Sequence, residues 1–167
     1  MVVKLLKSQR LYVKDLGLND ASFLLELLNT PGFIQFIGDR GVRTLLEAED
    51  FCTKLRDNPG IHYRVVFLQS ADIPLGIISL VQRDYLPQPD IGFAFLPSHF
   101  GKGYAYEAAS LVLEDYFANQ KAPIFATTLE DNVRSIRLLL HLSLTFERSI
   151  VRDHQQLLVY KKDPWNH

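Results

Sequence analysis

Residues 90–109 read DIGFAFLPSHFGKGYAYEAA, and this stretch decides the fold. Large apolar residues alternate with small or polar ones over its first six positions, as in a strand that buries one face and leaves room beside the other. A glycine turn follows, and from Ala105 to Tyr116 the apolar residues recur at helical spacing. Beyond this helix, PIFATT at residues 123–128 predicts another short strand. Strand, turn, helix and strand form a βαβ unit, in which the two strands are parallel.

The sequence on either side of this unit predicts antiparallel strands. RLYVKDL at residues 10–16 suits an opening strand, and IHYRVVFLQ at 61–69 with PLGIISLVQR at 74–83 predicts a hairpin. Near the end, LTFERSI and QLLVYKK predict two closing strands on either side of a polar turn. Together with the βαβ unit, these segments predict an α+β fold around a mixed, mostly antiparallel central sheet.

Three more helices are predicted outside the βαβ unit. The first begins at the Asn-Asp pair of residues 19–20 and ends at Pro31. The second begins at Thr44, whose spacing from Glu47 is that of a capping box. The third begins at Asn132.

Composition indicates one soluble domain spanning residues 1–167. The chain has 18 basic and 19 acidic side chains, a net charge of −1 and 47% hydrophobic residues. Such a balance provides a core but no global positive field, so nucleic acid and membrane are not expected as partners. Cys52 is the single cysteine of the sequence, which excludes an intrachain disulfide and fits the cytoplasm. No signal-peptide core and no membrane-spanning run is evident.

The glycine turn carries the strongest chemical signal. Amides at a helix N-terminus lack intrahelical acceptors, and glycine allows a bulky anion to approach the backbone, so the turn suits a phosphate or pyrophosphate. A tight turn that needs glycine for its dihedral angles alone is the alternative. A dinucleotide-binding fingerprint would require glycine where Tyr106 stands, and a P-loop would require serine or threonine where Gly103 stands. Neither motif fits.

The stretch quoted above, followed later by EDNVRSIRLLLHLSL, resembles the GNAT superfamily of acetyl-CoA-dependent N-acetyltransferases. It is most similar to the branch of ribosomal-protein N-terminal acetyltransferases, in which a Gly-Lys-Gly-Tyr-Ala turn precedes a Glu-Ala pair, here Glu107 and Ala108. The resemblance implies a three-layer α/β/α architecture whose parallel strands splay into a cleft for acetyl-CoA. It implies cofactor contacts from the following residues: Phe93, Ala94, Phe95, Leu96, Gly101, Lys102, Gly103, Tyr104, Ala105, Asn132 and Ser135.

Direct acetyl transfer needs a base for the amine, a donor to the developing oxyanion and a proton for the departing thiolate. Asp90 is our first candidate for the base because it shares the open strand face with two small residues, although a solvated strand-end carboxylate is the alternative. His154 and His62 are further candidates. The resemblance makes Ser135 the candidate for protonating the thiolate, and the Tyr104 and Tyr106 hydroxyls are alternatives that the resemblance does not support. We expect a main-chain amide near Ala94 or Phe95 to bind the oxyanion.

The sequence also departs from the family in three places. Many members carry a tyrosine acid where Leu139 stands, and the usual Gly-Phe ending of that helix is Ser143-Leu144 here. The family usually has glutamine or arginine where Phe100 stands, although this branch often carries an aromatic residue there. The histidines are scattered without ligand spacing, so no metal is expected.

The resemblance implies acetyl transfer to a primary amine, with a protein N-terminal α-amine, a polyamine, an amino acid or an antibiotic amine as open alternatives. A non-catalytic acyl-CoA-binding sensor or interaction module is the competing hypothesis. The acceptor would be a small-molecule amine or a protein N-terminus, and the chain a monomer or a homodimer.

Overall fold

The computed structural model describes residues 4–165 and contains one eight-stranded mixed sheet. Its strands, numbered along the chain, lie in the order β1-β2-β3-β4-β5-β6-β8-β7. Neighbours are antiparallel except β5 and β6. The strands are β1 (Leu5–Lys7), β2 (Leu11–Asp15), β3 (Ile61–Leu68), β4 (Ile73–Val81), β5 (Asp90–Phe95), β6 (Ile124–Leu129), β7 (Thr145–Arg152) and β8 (Gln155–Lys162).

Helices cover both faces of this sheet. They are α1 (Ala21–Leu28), α2 (Pro31–Phe36), α3 (Leu45–Asp57), α4 (Tyr104–Asn119) and α5 (Val133–His141). Residues of α1, α2 and α3 form one core cluster with β3 and β4, and residues of α4 and α5 form another on the opposite face. The predicted α+β fold with three α/β/α layers is therefore confirmed.

The parallel pair β5 and β6 diverges as soon as it forms. Asp90 and Phe125 are its single register pair among residues 4–165. Both strands continue for several residues beyond this point, β5 to Phe95 and β6 to Leu129. The predicted splayed pair is thus present, and it opens a V-shaped cleft in the middle of the sheet.

Local sequence signals account for most helix ends. The Thr44 hydroxyl accepts from the Glu47 amide at 3.2 Å, and the Glu47 carboxylate accepts from the Thr44 amide at 3.0 Å, so the capping box is confirmed. Pro31 ends α1 as predicted but also begins α2, because it occupies a first-turn position where its missing N–H is not needed. Asp20 stands at the N-cap of α1, but its side chain does not bond to that helix; its carboxylate accepts from the Gly17 amide at 2.8 Å, at the start of the short 3-10 helix Leu18–Asp20.

Over residues 4–165, we find no helix with the length and apolar content needed to cross a membrane.

Candidate functional site

The glycine turn lies at the head of α4 with its amides free. Gly101 and Gly103 have φ angles of 75° and 78°, in the left-handed region that favours glycine. The N–H groups of residues 101–106 find no acceptor within the part of the chain that the structure describes. A Cβ at Gly101 would meet no atom within 4 Å, so space is open beside this backbone. The turn therefore has the free amides and open space that a phosphate group needs, and phosphate binding there stays a prediction.

The turn also has charged and aromatic neighbours. Lys102 is exposed and carries its charge into solvent beside the free amides. The guanidinium of Arg134, in the first turn of α5, stacks 3.9 Å from the ring centroid of Phe100. The sequence lacks the family's polar side chain at Phe100, and the fold brings the cation of Arg134 to the same place.

Strand β5 turns free backbone groups toward the cleft. The Leu96 amide donates to a β4 carbonyl at 2.9 Å, whereas the Pro89 carbonyl accepts from β6 at 3.0 Å. Because the backbone groups of successive strand residues point to alternate sides, Phe93 and Phe95 point theirs toward β6, where pairing has ended. These two residues suit the predicted contacts with the amides of an extended ligand.

The other two predicted residues of this strand are less available. Leu96 uses both backbone groups inside the fold, since its carbonyl also accepts from His99 at 3.0 Å. Ala94 pairs with Ile77 and, by the same alternation, points its backbone groups to β4. The expectation of free backbone groups at Leu96 and Ala94 therefore does not match the hydrogen bonding that the structure shows. The sequence predicts that an amide near Ala94 or Phe95 binds the oxyanion; of these two amides, that of Phe95 faces the cleft.

Asp90 lies where β5 and β6 part, and its carboxylate joins them. It accepts from the Thr127 amide at 3.2 Å, the Thr127 hydroxyl at 3.2 Å and the Arg83 guanidinium at 3.1 Å. In a continuing ladder the Thr127 amide would donate to the backbone of Ile91, so the carboxylate occupies the place of the next rung. Asp90 is 4% exposed, and this burial raises its pKa to about 6 despite the opposing bonds from Arg83 and Thr127.

Small and hydroxylated side chains surround Asp90 on the face covered by α1 and α3. Tyr63, Ser79 and Gly92 form one row across β3, β4 and β5. A Cβ at Gly92 would lie 2.7 Å from the Ser79 hydroxyl, so glycine keeps this row open. Burial raises the pKa of the Tyr63 phenol; Arg40 and Arg83 oppose the rise, and Asp90 adds to it. This face is a second approach to the cleft, opposite α4.

Helix α5 places Asn132 and Ser135 at its start. The side-chain oxygen of Asn132 accepts from the Ser135 amide at 3.3 Å and caps the helix. Ser135 is half-buried one turn before Leu139, so both lie on one helix face. Leu139 is 1% exposed and belongs to the core cluster around α4.

The histidine candidates lie elsewhere. His154 is exposed in the turn between β7 and β8, with a φ of 63° that fits a tight hairpin. Within residues 4–165 it makes no hydrogen bond to Asp90 or Ser135, and no cluster of metal-ligating side chains is found there. His62 is exposed near the start of β3. We therefore consider Asp90 further as the base, and His154 stays a prediction that this geometry does not support.

Several side chains of the site carry no signal in the sequence. Arg83 and Thr127 hold Asp90, and Thr127 is 37 positions away from it. Arg10, in the connection just before β2, reaches the Lys102 carbonyl of the glycine turn and Glu107, which is 97 positions away. No local pattern links residues so far apart.

Comparison with known proteins agrees with this geometry. A family model described as acetyltransferase (GNAT) domain matches residues 10–145. An uncharacterized N-acetyltransferase of Bacillus subtilis, YnaD, is 27% identical over 133 residues, covering 79% of this chain and 77% of that protein.

Solved structures show the same fold. The ribosomal L7/L12 alpha-N-protein acetyltransferase RimL in complex with coenzyme A has a TM-score of 0.83 at 14% identity, covering 96% of this chain and 98% of that one. The spermidine N-acetyltransferase of Vibrio cholerae in complex with coenzyme A and spermine has a TM-score of 0.81 at 17% identity, covering 94% and 97%. Because the family model spans most of the sequence and the site has the matching turn and cleft, this chain belongs to the GNAT acetyltransferase family.

Proposed function

We propose that this chain transfers the acetyl group of acetyl-CoA to a primary amine. The observation that carries the proposal is the set of unbonded amides at the glycine turn, next to the cleft between β5 and β6. These amides suit the pyrophosphate, and the free backbone groups of Phe93 and Phe95 suit the pantetheine arm. The coenzyme A complexes of RimL and the spermidine acetyltransferase support the same cosubstrate.

Three groups of the chain then have chemical roles. When bound, acetyl-CoA supplies the acetyl group as a thioester. The Phe95 amide donates to the carbonyl oxygen as negative charge develops on it. Asp90 accepts the proton of the amine, because a base with a pKa of about 6 is ionised at neutral pH. As the C–S bond breaks, the Ser135 hydroxyl passes its proton to the departing thiolate and regains one from solvent.

The positive charge on the sheet face covered by α1 and α3, where Asp90 lies, favours a protein N-terminal α-amine over a polyamine as the acceptor. Arg83 already pairs with Asp90, and Arg40 and Arg83 both act on the Tyr63 phenol. The second ammonium group of a polyamine would add positive charge to this face. An α-amine has a pKa of about 7.7–8.0, against about 10.4 for an alkyl amine such as lysine. A base as weak as Asp90 therefore matches the α-amine better.

The test is release of free thiol from acetyl-CoA in the presence of different amines. The panel contains peptides with a free N-terminus, the same peptides with an acetylated N-terminus and an internal lysine, spermidine, and an aminoglycoside. We expect turnover with the free N-terminus and loss of turnover when it is blocked. Turnover with spermidine alone would refute the acceptor assignment but keep the reaction.

Calorimetric titration of the same protein with acetyl-CoA measures binding of the cosubstrate independently of turnover. Tight binding without turnover on any amine would replace the enzyme by a cofactor-binding module. Failure of acetyl-CoA to bind would refute the proposed function as a whole.

A further inference from the structure

Arg10 contacts the outer side of the glycine turn, the side that faces β2, at several points. Its Nε lies 2.7 Å from the Glu107 carboxylate, and its Nη1 donates to the Lys102 carbonyl at 2.9 Å. Its guanidinium carbon stands 4.6 Å from the centre of the Tyr104 ring. A Cβ built on Gly103 would lie 3.4 Å from its Nη2. One side chain thus contacts Lys102, Tyr104 and Glu107, and its guanidinium lies beside Gly103.

Glu107, in the first turn of α4, makes further hydrogen bonds with the β1–β2 connection. Its carboxylate also accepts from the Arg10 amide at 2.9 Å and from the Ser8 hydroxyl at 2.7 Å. Burial raises the pKa of Glu107, but the bonds from Arg10 and Ser8 outweigh it and the net shift is downward. The carboxylate is therefore ionised, and it ties the β1–β2 connection to the head of α4.

The bond to the Lys102 carbonyl has a geometric consequence for the next residue. In a trans peptide unit the carbonyl and the following N–H point in opposite directions. By holding the Lys102 carbonyl on the β2 side, Arg10 turns the Gly103 N–H away from β2, toward the open side of the turn. The left-handed φ of Gly103 is part of the same arrangement.

The pairing also has an electrostatic consequence. A carboxylate in the first helical turn opposes an incoming phosphate, even though it stabilises the empty helix end. Arg10 neutralises Glu107 through a direct contact. It thereby removes the repulsion without placing its own side chain in the open side of the turn.

We propose that Arg10 is a positioning residue for the phosphate end of acetyl-CoA: it orients the Gly103 amide through the Lys102 carbonyl and neutralises Glu107. The inference rests on the proposed function and adds to it a residue outside the turn and outside both family motifs. Because Arg10 acts on the phosphate end, its effect disappears for a ligand that lacks the phosphates.

The test compares equilibrium binding of acetyl-CoA with that of acetyl-pantetheine, which has the same arm but no pyrophosphate. By calorimetry, Arg10→Ala should raise the Kd for acetyl-CoA about tenfold, the size expected for loss of charge-assisted hydrogen bonds. The Kd for acetyl-pantetheine should not change. Arg64→Ala is the matched control, because Arg64 also pairs with a carboxylate of α4, Asp115, at 3.2 Å and lies away from the turn.

Two further variants separate orientation from charge. Arg10→Lys keeps the charge next to Glu107 but has no fork to reach the Lys102 carbonyl as well, so we expect a Kd between those of wild type and Arg10→Ala. Glu107→Gln removes the repulsion, and adding Arg10→Lys to it keeps the positive charge but loses the contact with the Lys102 carbonyl. A higher Kd for this double variant than for Glu107→Gln alone supports orientation of the Gly103 amide.

The outcomes distinguish this inference from the proposed function. Failure of the wild-type chain to bind acetyl-CoA would overturn both. Normal wild-type binding with an unchanged Kd in Arg10→Ala, or equal losses for acetyl-CoA and acetyl-pantetheine, would overturn the role of Arg10 alone. If Arg10→Ala does not fold, the ratio of the Kd for acetyl-CoA to the Kd for acetyl-pantetheine is compared between wild type, Arg10→Lys and Glu107→Gln. A ratio that is unchanged in both variants would overturn the role of Arg10.

Discussion

Replacing Asp90 by asparagine should change how the stability of the protein depends on pH. The carboxylate is buried, and its pKa of about 6 lies above the value of 3.8 for an unperturbed aspartate. A difference of about two units corresponds to about 3 kcal/mol of unfavourable free energy for the ionised form in the folded state. Asparagine has the same shape and keeps one oxygen for the Thr127 amide, but it does not ionise.

The sign follows from linkage. The folded pKa is raised, so the contribution of Asp90 to stability is fully present below about pH 3.8 and is lost as the pH rises through about 6. An asparagine at this position does not ionise, so the variant does not lose stability in this way as the pH rises. The free energy of unfolding of Asp90→Asn, relative to wild type, should therefore rise by about 2 kcal/mol between about pH 4.5 and pH 7.5.

Urea denaturation of both proteins at several pH values measures this difference. Asp50→Asn is the control, since the Asp50 side chain is 60% exposed and its pairing with Lys54 should add little pH dependence. A difference between Asp90→Asn and wild type that stays constant with pH would refute the assignment of a raised pKa to Asp90.

The same variant tests the chemistry. If Asp90 is the base, Asp90→Asn should lower turnover by about 10²–10⁴-fold, with an unchanged Kd for acetyl-CoA. In wild type, kcat/KM should fall below about pH 6 as the carboxylate is protonated. Unaltered turnover would remove Asp90 from the mechanism. Loss of acetyl-CoA affinity instead would mean that the carboxylate serves to hold Thr127 and the divergence of β5 from β6.

Two further predictions concern glycines. Gly101→Asp places a carboxylate in the open space beside the free amides, at a φ of 75°. It should raise the Kd for acetyl-CoA at least about 100-fold by calorimetry, because a like charge about 4 Å from a phosphate costs several kcal/mol near a protein surface. An unchanged Kd would mean that the turn does not hold the phosphates. Gly76→Ala places a Cβ 2.5 Å from the Ala94 carbonyl oxygen and 2.5 Å from the Phe95 ring, and should lower the free energy of unfolding by about 2–3 kcal/mol in urea, whereas a shift within error would show that β4 and β5 separate without cost.

Features determined by neighbouring residues were readable in the sequence. The capping box of Thr44 and Glu47, the glycine turn and the alternation in β5 each depend on residues a few positions apart. Their physical requirements, a satisfied helix end, a left-handed φ and a strand with one open face, leave a local signature. The parallel strand pair also followed from the spacing of the βαβ unit.

Features formed by tertiary contact left no such signature. Asp90 was predicted as a carboxylate facing the acceptor side, but its burial and its bonds to Arg83 and Thr127 follow from how β6 and the β4–β5 connection meet. Likewise, the sequence predicts free backbone groups at Leu96, but its amide donates to β4. This bond depends on the register between the two strands. Charge and hydrophobicity along the chain do not encode a register between distant strands.

The missing tyrosine at Leu139 does not by itself argue for a non-catalytic protein. An alkyl thiol is a much stronger acid than an alcohol, about 8.5 in pKa for the cysteine side chain, so a thiolate leaves with little assistance. An amine, in contrast, cannot attack until it has lost a proton. The step that most needs the protein is therefore deprotonation of the acceptor, and in the proposed mechanism the buried carboxylate of Asp90 at the cleft takes this proton. Leu139 is enclosed in the core, and the half-buried Ser135 one turn earlier retains a hydroxyl on the same helix face. An enzyme with this site depends on its base more than on its acid, so substitution of Ser135 by alanine should cost less turnover than substitution of Asp90 by asparagine.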